Sequence, residues 1–156
     1  EGTGKVNIRR DKRDALFSQL VRERANWTCE RCGRKFERAG LECSHLFSRR
    51  HRSTRWHPAA ASAHCFTCHR YLGEHPIEFA EWIEKHLGGV RTSLLRHLSQ
   101  KIAKFNKRDL AEIEADLKVE LQLMRGARAK GVVGRIEFAA PRAVQALEDG
   151  LKARAA

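Results

Sequence analysis

The chain has 156 residues, 42% of them hydrophobic, a length that suits one domain or one domain with a helical extension. No apolar run approaches the roughly 18 residues of a membrane span and no signal peptide is visible, so a membrane partner is not expected. A formal charge of +12 and a pI near 10.1 favour a polyanion, usually nucleic acid, and the excess is uneven: net +8 in residues 1–75, net +4 in the rest.

In chain order, "DKRDALFSQLVRERAN" (11–26) reads as an amphipathic helix with Ala15, Leu16, Phe17, Leu20 and Val21 on its apolar side. "CERC" then places Cys29 and Cys32 on one turn, with Gly33 suited to the tight backbone that follows. "LECSHLF" (41–47) reads as a short strand whose alternation sets Cys43 and His45 on one face, Glu42 and Ser44 on the other. The loop "SRRHRSTRWH" supplies Arg49, Arg50, Arg52 and Arg55 with Trp56, a composition suited to phosphate contacts. "HPAAASAHC" leads to "CFTC", carrying Cys65 and Cys68, and "CHRYL" opens a helix with His69 in its first turn.

Five cysteines, an odd number without a visible secretory signal, argue against a disulfide framework and for a reducing compartment. Two C-x-x-C turns can bring Cys29, Cys32, Cys65 and Cys68 around one structural Zn2+ in a tetrahedral site. That use of Cys65 and Cys68 leaves His69 free for a second role. Cys43 is left over and reads as a small buried residue under the strand.

The order C-x-x-C, strand with His, basic loop, C-x-x-C-His resembles the HNH endonuclease family, also called ββα-metal or His-Me finger. It is closest to the zinc-bearing phage type, similar to recombination endonucleases of the NinG/Rap type and to endonuclease VII. The resemblance covers about residues 27–88 and rests on "CERCG", "CSHLFSRRHRSTRWHP" and "HCFTCHRYLGEHPIEFAEWIEKHLG". It implies an α+β fold with a small ββα-metal core held by the zinc knuckle and flanked by helices. It also implies a DNA endonuclease in the cytoplasm of a bacterial host cell, acting on duplex or branched DNA. His45 would be the general base that activates water. His69 would bind a catalytic Mg2+ or Mn2+.

The chain departs from the family pattern at three places. The position before the base histidine, often a second metal ligand, is Ser44, a poor one. The family's middle Asn aligns with Ala60, whose side chain cannot hydrogen-bond; His57 or Ser62 are candidates to substitute for it. A further metal-binding His that some members place on the helix falls at Gly73, and His75 faces elsewhere. His51, His57 and His64 remain auxiliary candidates for metal or phosphate.

Beyond the knuckle, "PIEFAEWIEKHLGG" reads as a helix from Pro76 to just before Gly88, with Ile77, Ala80, Ile83 and Leu87 on one face, broadened by Phe79 and Trp82 and packed on the knuckle. "TSLLRHLSQKIAKF" reads as a helix capped by Thr92, with Leu95, Leu98 and Ile102 as its stripe. A helix capped by Asn106 carries Leu110, Ile113, Leu117, Leu121 and Met124 and is either a core helix or a partner or dimer helix. "VVGRIEF" reads as a short strand or an extended connector, and a last helix starts at Pro141. The expected organisation is an N-terminal helix (1–26), a nuclease core (27–90) and a C-terminal helical region (91–156) that could serve a homodimer or DNA. Besides the nuclease, a zinc-stabilised nucleic-acid-binding module that does not cut, and a purely structural domain, remain open.

Overall fold

The computed structural model describes residues 8–156; the first seven residues of the expected N-terminal segment lie outside it. The chain is α+β: a two-stranded antiparallel sheet and six α-helices among the described residues. None of these helices is long and apolar enough to cross a membrane.

Helix α1 (Lys12–Arg24) starts at an Asp11 cap, whose carboxylate accepts from the Arg13 and Asp14 N–H groups while Asp14 accepts from the Asp11 N–H, a reciprocal capping box. Phe17, Leu20 and Val21 are fully buried, whereas Ala15 faces solvent. Strand β1 (Leu41–His45) ends two residues earlier than the sequence pattern suggests. It pairs with β2 (Ala61–Cys65), a strand that an alanine-rich connection does not advertise. The register sets Glu42 opposite His64, Ser44 opposite Ser62 and His45 opposite Ala61. A 3₁₀ turn (Pro58–Ala60) precedes β2, and helix α2 (Phe66–Glu74) follows it without a break.

Helix α3 (Pro76–Leu87) begins on Pro76 and stops at Gly88, whose φ of 82° only glycine adopts freely. Its contact face is part of the one expected: Ile77 and Ala80 are exposed, Ile83 is half-buried, Leu87 packs on a cluster around Leu95 and Leu98, and Phe79 and Trp82 pack against the buried His64 ring, 6.4 and 4.7 Å between centroids. Aromatic area outweighs aliphatic periodicity there. Helix α4 (Gly89–Ser99) starts three residues before Thr92, which bonds back to the Gly88 carbonyl; Ile102 lies beyond its end and is exposed.

Helix α5 (Lys107–Ala129) has an Asn106–Asp109 capping box and spans about 34 Å at 1.5 Å per residue. Ile113, Leu117, Leu121 and Met124 are buried in the same core as Phe17, Leu20, Trp56 and Ala63. Of the two readings open for this helix, its apolar stripe is therefore a core stripe. Residues 132–138 form no strand and run as an extended connector, held by the Ile136 N–H on the Arg24 carbonyl. Helix α6 (Arg142–Ala155) follows Pro141 and, with α4, covers a second cluster around Ala59, Ala60, Leu95 and Leu98.

Two buried arginines join the layers. Arg24 at the end of α1 donates to the carbonyls of Pro58 (2.7 Å) and Ala61 (2.6 Å). Burial lowers its pKa to about 10, so it stays charged at neutral pH. Arg55 grips Asp14 through Nε (2.9 Å) and Nη2 (2.5 Å), and Trp56 Nε1 adds a third bond at 3.2 Å.

Candidate functional site, a four-cysteine cluster and an arginine-lined cleft

The first turn of the knuckle is closed by the Gly33 N–H on the Cys29 carbonyl, with Gly33 at φ 72°, and by a bridge between Thr28 and Lys35. The second lies where β2 becomes α2, so Cys65 caps the helix and Cys68 sits one turn inside it. The four sulfurs of Cys29, Cys32, Cys65 and Cys68 all lie within 4.8 Å of one another. Cys32 and Cys65 are 3.9 Å apart, and tetrahedral Zn–S bonds of about 2.3 Å place sulfurs about 3.8 Å apart. Burial pushes the Cys68 thiol up to about 12, with the adjacent cysteine sulfurs adding to the shift and Arg31 opposing it. Such a set tolerates thiolates only around a cation. The cluster can hold a metal ion and is consistent with structural zinc.

Beside it, β1 and the start of α2 form one wall of a cleft of about 550 Å3. His45 and His69 both line it, together with Glu42, Cys43, Arg10, Arg22 and Arg49. His45 reaches it from the last residue of β1, its ring 5.8 Å from that of Phe17. Its Nε2 is shielded and has no hydrogen-bond partner. Burial, with Arg49 adding repulsion, lowers the His45 pKa to about 4, so the imidazole is neutral at pH 7. His69 Nδ1 lies 2.7 Å from Glu42 Oε2. Burial also pushes the Cys43 thiol up to about 12, which keeps it an inert part of the lining.

The remaining candidates separate. Ser44 is fully buried, pairs across the ladder with Ser62 and does not line the cleft. Of the arginine loop, only Arg49 reaches the cleft. Arg50 and Arg52 line a different groove with His51, whose Nδ1 bonds the Ser99 carbonyl. Arg55 and Trp56, at 8% and 1% exposure, are buried on Asp14 and are not positioned for DNA. Ala60 is buried against Leu95 and Leu98, and its carbonyl accepts from the Leu46 N–H, so its backbone steadies the residue after His45. His57 does not substitute for a side chain there: Nδ1 accepts from the Ala59 N–H and Nε2 meets Glu148 at 2.7 Å, away from the cleft. His64 is buried among the α3 aromatics with both nitrogens unpartnered, and burial lowers its pKa to about 4. His75 bonds the Tyr71 carbonyl and stacks on its ring.

Sequence reasoning missed Glu42, Arg10 and Arg22. Glu42 was visible as a carboxylate on the strand of His45. Its proximity to His69 follows from the β1–β2 register, which seats it one pair from the start of α2. Arg22 reads as one charge among many on a helix, and nothing local tells that its side of α1 turns toward β1.

Comparison of the chain with protein-family models, with curated proteins and with solved structures finds no match.

Proposed function

We propose that the chain is a metal-dependent DNA endonuclease of the HNH type, with structural Zn2+ on Cys29, Cys32, Cys65 and Cys68. The observation that carries this reading is the meeting of His45 and His69, 24 positions apart in sequence, in a single cleft with Arg10, Arg22 and Arg49. In this reading the arginines hold the phosphate through charge-assisted bonds. His45, neutral at working pH, would accept a proton from the attacking water. His69 would hold Mg2+ or Mn2+, with the Glu42 carboxylate in reach as its orienting partner or as a further oxygen ligand. When bound, the ion supplies Lewis-acid stabilisation of the phosphate and the leaving oxygen. Ala60 supports a second reading, a binding module that does not cut, since its buried methyl group offers no hydrogen bond beside the His45 segment.

Nicking of supercoiled plasmid and cutting of branched DNA, with Mg2+ or Mn2+ and with EDTA, test the proposal. The chain as given is run beside Ala60→Asn and His45→Ala. Metal-dependent nicking that His45→Ala abolishes, with its fold intact, is the expected result. Cutting only by Ala60→Asn marks an inactivated nuclease. Binding without cutting by either leaves the binding module, and cleavage unchanged in His45→Ala refutes the assigned base.

A further inference from the structure

We infer that DNA held at the His45 cleft continues into a second groove between the C-terminal ends of α1 and α5, where its phosphates are gripped by Arg22, Arg38, Arg125 and Arg128 beside Trp27. The inference rests on the proposed DNA-binding function and extends it to a surface that the arginine loop does not include. The groove encloses about 530 Å3 and neighbours the first cleft, with which it shares Arg22 as a lining residue.

Four guanidinium groups face one carboxylate, Glu23, in this groove. Some exposed cations elsewhere on the molecule are neutralised by a neighbour, as Arg70 is by Glu74, Lys118 by Glu114, Arg142 by Asp116 and Lys152 by Glu148. Arg38 and Arg125 are exposed and, among the described residues, have no ion-pair partner. Arg128 builds the wall, its Nη2 donating to the Glu23 carbonyl (2.6 Å) and its Nη1 to that of Val132 (3.0 Å). Arg22 donates to Ser18 Oγ at 2.9 Å and lies over the Trp27 ring, 5.6 Å from its centroid.

Trp27 is held in this groove at φ 55°, in the left-handed region that a non-glycine residue seldom occupies. Four cations with a single carboxylate among them match an acceptor-only, anionic ligand. A nucleic-acid backbone presents that chemistry as a row rather than a point, which suits two adjoining clefts better than a lone anion does. Such contacts set the path of the DNA without reading its bases.

The test uses the zinc-loaded full chain and fluorescence anisotropy of a labelled duplex long enough to cover both clefts, across a salt series. Arg38→Gln combined with Arg125→Gln should lower the slope of log K against log salt by about 1.8, two phosphate contacts' worth. On a duplex trimmed to the His45 cleft, parent and variant should bind alike. A control pair on α6, Arg142→Gln with Arg154→Gln, removes the same charge and should leave the long-duplex slope unchanged. An unchanged slope in the groove variant, or an equal fall in the control, overturns the groove while a parent that binds and cuts DNA keeps the proposed function. A parent that binds no DNA overturns that function, and the groove with it.

Discussion

Replacing Glu42 by Gln isolates the contact that singles out His69. The carboxylate lies 2.7 Å from Nδ1. If it accepts the Nδ1–H, the ring is fixed in the tautomer that leaves the Nε2 lone pair free for a cation. Gln keeps the shape and an acceptor oxygen but removes the charge. Loss of such an orienting partner costs about 10- to 100-fold in metal affinity. Both side chains are open to water, 47% exposed for Glu42 and 40% for His69, so screening places the expected loss near the lower end, about 10-fold. Titration of Mn2+ into zinc-loaded protein, followed by water-proton relaxation, reads this directly and needs no turnover. The melting temperature should stay with the parent's, because the contact is at the surface. An identical Mn2+ titration in Glu42→Gln would refute the reasoning and make the contact an ordinary surface pair.

Three further outcomes follow from buried groups. In the proposed reading His45 must be neutral to accept a proton, and its pKa is lowered to about 4, so kcat/KM for DNA cleavage should hold as pH falls through 6.5 and drop only toward pH 4. An acid limb at the ordinary imidazole value would show that His45 is more hydrated than its burial implies. Asp14→Ala leaves the Arg55 guanidinium buried without its carboxylate, and chemical denaturation should show a loss of about 3–5 kcal/mol. Burial alone would raise the Asp14 carboxyl, but hydrogen bonds from Arg55 and the Asp11 N–H hold it below its usual value. Its contribution is therefore present above about pH 3.9 and lost as pH falls through the native value, and the Asp14→Ala deficit should shrink in acid. Treatment of zinc-loaded protein with a strong chelator, or Cys29→Ser, should lower helicity and the melting temperature together; a chelated chain with unchanged circular dichroism would mean that the four cysteines do not carry the fold.

What could be read from the sequence was what the local chain encodes by itself. Paired C-x-x-C turns, the Asn106 cap, Pro76 with Gly88, and the α5 stripe each act within one element, and each is found where its residues imply. What escaped depends on partners distant in the chain. β2 is "ASAHC", whose small residues become a strand only because β1 lies beside it. The arginine loop resembles one basic surface, yet its residues divide: Arg49 to the cleft, Arg50 and Arg52 to another groove, Arg55 inward to Asp14. Composition gives the number of charges but not the carboxylate each will meet. On α3 the pattern shows both the aliphatic stripe and the aromatics Phe79 and Trp82, but not that the buried His64 ring beneath gives the aromatics the larger share while Ile77 and Ala80 stay in solvent.

The carbonyls taken by Arg24 bear on how the molecule can be divided. A helix outside the motif-bearing segment sends its last charged side chain to the turn and strand that precede the second knuckle, while Arg55 reaches back to the first turn of that helix. These two crossings run in opposite directions between the same bodies, as two stitches would. A fragment cut at residue 27 would keep every residue that defines the motif and lose the strut against which it is braced. The smallest transplantable piece is thus the motif together with α1 and the α5 face that α1 rests on, and grafting the motif alone onto another scaffold would transfer its ligands without their geometry.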